Sequence, residues 1–370
     1  MDTDIRVIAL YLPQFHPIPE NDKWWGKGFT EWTNVGKAKK LFPNHYQPRV
    51  PADLGYYNLR NANVREEQAN LAKYAGIDAF CYWHYWFGGG KQLLNEVLEE
   101  VVALGKPDFP FCLGWANHSW FKKNWNKDVS RFNNEVLIEQ TYPGIEDIDN
   151  HFYKMLPMFK DKRYYKVHDK LLFFIYDPHG IPQLTEFVNR WQVLAQDNGL
   201  PPFYFIGNVT RSIEQEKGNA LDAYALDLKN KAFNIEKNTV LRKGLSYLFP
   251  FPINVIRYSK AIDKMVDDIL FRKSKIYPII YPNWDHSPRA GNSASIMHGS
   301  TPQLWGKLLE KVISLIHDKD EGDQIIFIKS WNEWGEGNYL EPDLKYGRGY
   351  LDVMNKMLRK ENVYNERGKW

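Results

Sequence analysis

Eight short apolar runs recur along the chain, each rich in Val, Ile, Leu, Phe, Tyr or Trp, and each parted from the next by a longer connection, most of them helical in pattern. They occupy 7–11, 79–86, 111–114, 171–176, 203–206, 223–226, 276–281 and 325–330. Little in them alternates polar with apolar residues, so both faces of each strand are expected to be buried, as in a parallel sheet covered by helices. The helical stretches run over 63–75, 91–104, 148–159, 182–198, 261–271, 301–317 and 350–359. Gly76, Gly105 and Gly199 stand where helices would stop, and Thr301-Pro302 stands where one would start. Eight strands taken in turn with helices predict an α/β fold, a (β/α)8 TIM barrel with long βα loops, forming one catalytic domain over residues 1–370. An open doubly wound sheet is the alternative. It would carry a Gly-x-Gly-x-x-Gly turn after the first strand, and Leu12-Pro13-Gln14-Phe15-His16-Pro17 stands there instead.

A barrel of this kind does its chemistry at the C-terminal ends of its strands. The last run delivers Lys329-Ser330-Trp331-Asn332-Glu333-Trp334-Gly335-Glu336-Gly337 to that face, with Gly335 and Gly337 allowing a sharp turn. In a helix-like turn, Glu333 and Glu336 have Cβ atoms roughly 5–6 Å apart. Retaining glycosidases place two carboxyl groups about 5–5.5 Å apart. Close carboxylates also drive their pKa values apart, so one can hold a proton while the other is an anion. The plainer reading, two solvated loop charges, is weakened by their place after a buried strand.

Other polar and aromatic residues gather at the same ends. Tyr82 and His84 share one side of the second strand and reach a ligand if that side faces the mouth. Trp115, Asn117, His118 and Trp120 follow the third strand, and Asn208 ends the fifth. Tyr281 ends the seventh, and Trp284, Asp285 and Arg289 follow it. Asn, Asp and Arg there can bond sugar hydroxyls or merely cap loops. The long segment 12–57, with Trp24, Trp25 and Trp32, exceeds a plain connector and is expected to be functional or a lid.

The chain has 14 Trp, 22 Tyr and 21 Phe, many beside Gly, Asn, His and Pro. Some are expected to stack on sugar rings and others to brace loops. A net charge of +3 lacks the basic excess of a nucleic-acid protein. Cys81 and Cys112 sit in apolar runs and read as small buried hydrophobes. His16, His84 and His118 show no metal-ligand spacing, so no metal and no other cofactor is expected. No apolar segment is long enough to span a bilayer, and the N-terminus lacks a signal-peptide pattern, so a cytoplasmic protein is expected. Leu248-Phe249-Pro250-Phe251-Pro252-Ile253 is apolar but short. Basic residues at Arg242-Lys243, Arg257, Lys260 and Arg272-Lys273 would serve diphosphates or allow peripheral contact with lipid headgroups, though a solvated helical face is the simpler reading. Asp267-Asp268 reads as the solvent side of a helix. Oligomeric state cannot be read from the chain.

Together these blocks resemble the WbsX-like proteins, encoded among bacterial polysaccharide and O-antigen genes and often labelled glycosyltransferases. The resemblance rests on Ile8-Ala9-Leu10-Tyr11-Leu12-Pro13-Gln14-Phe15-His16-Pro17, on Gly28-Phe29-Thr30-Glu31-Trp32, on Tyr82-Trp83-His84-Tyr85-Trp86, on Trp115-Ala116-Asn117, and on 331–337. It covers about residues 5–355 and adds Tyr11, Gln14, His16, Trp32, Trp331 and Asn332 to the candidate substrate-binding set. That group is similar to glycoside hydrolase family 99, the endo-α-mannosidases, whose motif Asn-Glu-Trp-His-Glu-Gly is matched here by 332–337 except for Gly335. The likeness implies Glu333 as the base on the sugar 2-hydroxyl, forming a 1,2-anhydro sugar, and Glu336 as general acid/base. It implies an oligosaccharide or polysaccharide substrate, of O-antigen type or a lipid-linked precursor, cleaved or transferred with retention. Two alternatives remain open: a sugar-nucleotide-dependent glycosyltransferase of lipopolysaccharide or capsule synthesis, and a non-catalytic glycan-binding protein.

Overall fold

The computed structural model describes residues 5–122, 135–210, 220–233 and 254–367, with side chains to 358. Arg242-Lys243 and the apolar run 248–253 lie outside the described residues. Eight parallel strands form the core: β1 (Arg6–Tyr11), β2 (Ala79–Trp86), β3 (Phe111–Trp115), β4 (Lys170–Ile175), β5 (Phe203–Val209), β6 (Ala223–Asp227), β7 (Ile276–Ile280) and β8 (Ile325–Ile328). Each pairs with its neighbours in chain order, and β1 closes the ring by pairing with both β8 (Val7↔Ile326) and β2 (Ile8↔Ala79). The closed (β/α)8 barrel expected from the alternating runs is therefore the architecture.

Burial on both faces explains why the strands are apolar throughout. On β4, Phe174 points into the barrel, 5.3 Å from Phe327 of β8. Its neighbour Phe173 points out, 4.8 Å from Trp191 on the surrounding helix α4 (Leu184–Asp197). Trp191 is fully buried and also meets Phe152 and Phe159 of α3 (Ile145–Phe159) and Phe187 of its own helix. Much of the aromatic content is thus cement between barrel and helices, each close ring pair adding roughly 0.5–1.5 kcal/mol beyond its area burial.

Helix α1 (Ala62–Ala75) starts where the Asn61 side chain accepts from the Asn63 amide and stops at left-handed Gly76. Helix α6 (Pro302–Ile316) starts under Thr301, whose hydroxyl accepts from the Leu304 amide. Three spans differ from the sequence reading. Helix α2 is shorter, Glu96–Leu104, because Gln92–Leu93 turns back antiparallel on the end of β2. Helix α5 is Tyr258–Met265, and beyond it Asp267 accepts from the Ile269 and Leu270 amides, capping a turn instead of lying on a helix. Arg257, Lys260, Arg272 and Lys273 are exposed. The final helix α7 runs Gly349–Arg367.

The long first βα segment folds back over the mouth. It holds two short helices, Pro19–Trp25 and Glu31–Gly36, the second capped by the Thr30 hydroxyl. Among the described residues no helix is long and apolar enough to cross a membrane.

Candidate active site

Strand β8 ends at Ile328, and the chain beyond it is pinned to β1. The Trp331 amide donates to the Leu10 carbonyl, and the Asn332 side chain bonds both the amide and the carbonyl of Leu12. Asn332–Glu333 then pairs antiparallel with Asn338–Tyr339, leaving Trp334–Glu336 as a single tight turn. Trp334 stacks on Tyr339 at 3.7 Å and donates its indole N–H to buried Glu341. A turn held at both ends in this way fixes where its carboxylates point.

Both glutamates face the barrel mouth and meet on Arg289. Its Nη1 lies 2.8 Å from Glu336 Oε1 and 3.3 Å from Glu333 Oε1. Two oxygens on one nitrogen are at most two hydrogen-bond lengths apart, about 6 Å. Arg289 is itself held from behind by Glu31, whose Oε2 is 2.9 Å from both Nε and Nη2. Glu31 is fully buried and fills the space where residue 335 would carry a side chain: a Cβ there would sit 1.8 Å from Glu31 Oε2. Gly335 is therefore glycine for lack of room, whereas Gly337 has the left-handed backbone (φ 54°) expected of a turn.

The surroundings charge the two glutamates differently. Burial and then the neighbouring Glu336 charge push Glu333 up to about 7, against the pull of Arg289 and Lys329. Burial also raises Glu336, but Arg289, Lys229 and Lys329 outweigh it and hold that carboxyl low. Two buried carboxylates this close resist ionising together, so the pair holds one proton between them, with the stronger cationic pull on Glu336.

The cleft measures about 310 Å³ and is lined by both glutamates, Arg289, Trp83, Tyr85, Leu12, Ala116, His118, Trp120, Tyr176, Lys229, Trp284, His286 and Lys329. Of the residues singled out from sequence, Glu333, Glu336, His118, Trp120, Trp284 and Arg289 form its wall. Asp285 lies just behind, accepting from Gln47 at 2.8 Å and sharing a 2.8 Å contact with His45. Tyr281 donates to Asp227 below the floor. Trp32 bonds the Tyr57 carbonyl and leans on Trp334, and Trp331 is buried against Phe80. Gln14 and His16 are fully buried in the first loop, where the Gln14 carbonyl accepts from the Glu31 amide. Asn117 bridges to the backbone of Asp177, and Asn208 donates to the Tyr176 carbonyl, so both act as loop ties.

The facing of β2 is opposite to the one that would bring Tyr82 and His84 to a ligand. Tyr82 packs on Tyr11, whose hydroxyl bonds Gln68 of α1, and His84 shares a 2.7 Å contact with His151 of α3. Burial drives His84 down to about 3, so it is neutral. Trp115 likewise turns outward onto His151 and Phe187. Trp83 and Tyr85 take the inner face instead. Strand parity is invisible in a run that is apolar on both sides. Lys229, Lys329, His286 and Glu31 were also missed; a lone lysine directly after the buried run of β8 was the one signal available. No group of three or more metal-ligating side chains occurs among the described residues.

A closed barrel with a carboxylate pair and an aromatic cleft at its C-terminal mouth has the build of a (β/α)8 carbohydrate-active enzyme. Residues 7–354 match the family described as "Glycosyltransferase WbsX", and the chain belongs to that family. It is 34% identical over 355 residues to the "Uncharacterized protein WxcX" of Xanthomonas campestris pv. campestris. The match covers 95% of this chain but 49% of the relative, so the chain spans about half the length of the curated relatives it matches. Among solved structures it resembles a "Glycoside hydrolase-like protein" (TM-score 0.61, 14% identity, 97% and 94% of the two chains). It also resembles the family 99 endo-α-mannosidase from Bacteroides thetaiotaomicron (TM-score 0.55, 15% identity, 98% and 99%). At such identities the likeness is one of fold.

Proposed function

We propose that the protein makes or breaks glycosidic bonds of a bacterial polysaccharide or its lipid-linked precursor, with retention, using Glu333 and Glu336. The observation that carries this reading is the meeting of both carboxylates on Arg289 Nη1. Their separation fits the close spacing of retaining enzymes better than the roughly 6.5–9.5 Å of inverting ones. One carboxyl holds a proton and the other a charge, which is what an acid and a base need at the same pH.

The resemblance sets the roles within the pair. Glu336 gives a proton to the departing glycosidic oxygen as that bond breaks. Glu333 takes the proton of the sugar 2-hydroxyl, whose oxygen closes on the anomeric carbon. Water, or an acceptor sugar, then opens the anhydro sugar with the same two groups working in reverse.

The test is turnover of purified protein beside Glu333→Gln and Glu336→Gln, on bacterial glycan fragments, on aryl glycosides with good leaving groups, and with a panel of sugar nucleotides. Glycan release without nucleotide, lost in both variants, supports the reading. Glu336→Gln should keep more activity on the aryl glycosides, because a good leaving group needs no acid; the converse exchanges the two roles. Transfer that strictly needs a sugar nucleotide sinks the reading in favour of the family's description. Binding without turnover in wild type and variants alike would leave a glycan-binding protein, and unchanged turnover in both variants would remove the two glutamates from the chemistry.

A further inference from the structure

The cleft holds two lysines that a neutral sugar does not need. Arg289 is shared among three carboxylates at hydrogen-bond distance, whereas neither lysine ammonium has a carboxylate that close among the described residues. Lys329 follows β8 directly, and its Nζ stands 3.8 Å from Asp227 Oδ2, too far for a hydrogen bond. That same oxygen accepts from the Tyr281 hydroxyl at 2.5 Å. Lys229 lies two residues past β6, with its Nζ 3.2 Å from the ring centre of Trp284, and it makes no ion pair among the described residues. Among the described residues Asp227 is the one carboxylate within 4 Å of either ammonium group, and it reaches Lys329 alone.

The two lysines feel each other. Burial and then the charge of Lys329 push Lys229 down to about 8, despite Asp227 and the two glutamates. His118 and His286 also line the cleft and are driven neutral by burial, so they offer hydrogen bonds but no charge. A ligand that fills the cleft strips water from both ammonium groups, and that is costly unless the ligand returns a charge. Lys229 also covers one face of Trp284, so that face is closed to a sugar ring.

Building on the proposed function, we infer that the sugar bound beside Glu333 and Glu336 carries an anionic substituent, a carboxylate or a phosphate, seated between Lys229 and Lys329. The glycan acted on is then acidic, unlike a mannan.

Binding to the full chain tests this without any need for turnover. The probes are methyl α-glucuronide and methyl α-galacturonide, mannose 6-phosphate, the neutral methyl α-glucoside and methyl α-mannoside, and UDP, titrated by calorimetry at low salt. At least one acidic sugar should bind tenfold or more tightly than the neutral ones, and Lys229→Gln should erase the difference. Uronide against sugar phosphate identifies which anion is seated. Equal binding of neutral and acidic sugars overturns the inference, as does an acidic preference that survives both Lys229→Gln and Lys329→Gln. UDP binding more tightly than every sugar, with dependence on Lys229, also overturns it, because the charge then belongs to a diphosphate. Glu336→Gln should keep the acidic preference, so failure of the catalytic reading and failure of this one are told apart.

Discussion

Replacing Gly335 by Ala is the sharpest probe of how the site is built. The new Cβ would fall 1.8 Å from Glu31 Oε2 and 2.9 Å from Arg289 Nε. The backbone at Gly335 is not left-handed, so conformational strain plays no part. The methyl group can be admitted only if the Glu31 carboxylate withdraws from Arg289, giving up both 2.9 Å contacts in a fully buried setting. Breaking a buried pair of this kind costs about 3–5 kcal/mol. Unfolding entropy near 2.1 cal/mol/K per residue, over 370 residues, converts that to a fall in melting temperature of roughly 4–6 °C. Calorimetry of the wild type, Gly335→Ala, Glu31→Ala and the double variant reads it out. With the Glu31 carboxylate already gone there is room for the methyl group, so the second substitution should add little and the two effects should be far from additive. A Gly335→Ala protein that melts within about 1 °C of wild type, or a double variant that simply sums the two losses, would refute the packing argument. It would also remove the explanation for glycine here, where the similar hydrolases' motif has His.

Turnover should fall as pH rises through about 7, where the pair loses its one shared proton; a rate that stays flat through 7 would remove the carboxylate pair from the reaction. Burial raises Asp285, but His45, Arg49 and Ser287 outweigh it and hold the carboxyl at about 2. Its contribution to stability, roughly 2 kcal/mol at about 1.4 per pKa unit, is present above the ordinary carboxylate range and lost as pH falls from about 4 toward 2. Denaturant melts of wild type and Asp285→Asn across that range should converge at the acid end. Tyr82→Phe should leave glycan binding unchanged, since Tyr82 faces the helix layer, while Trp83→Ala should weaken it at least several-fold; titration of both variants with the same glycan decides the facing of β2.

The barrel was legible because its cause is local and repeated. A strand buried on two faces has to be apolar throughout, and a covering helix has to start at Thr301 or stop at Gly76, so eight such runs leave few architectures open. Glu333 and Glu336 were legible as candidates for a similar reason: they stand directly after a buried strand, where a barrel places its chemistry. The Asn332 tie to β1 and the left-handed Gly337 belong to the same short stretch.

What the chain could not reveal are relations between residues far apart in it. Trp83 and Tyr85, not Tyr82 and His84, face the mouth because the closed barrel fixes the parity of β2, and an all-apolar strand carries no mark of parity. Glu31 meets Arg289 across 258 positions, and only that contact explains Gly335. Lys229 and Lys329 come from different strands and matter as a pair only once the ring closes. The single proton shared by the two glutamates rests on the same assembled field: a pKa is set by charges a few ångströms away in space, and those neighbours are supplied by tertiary structure alone.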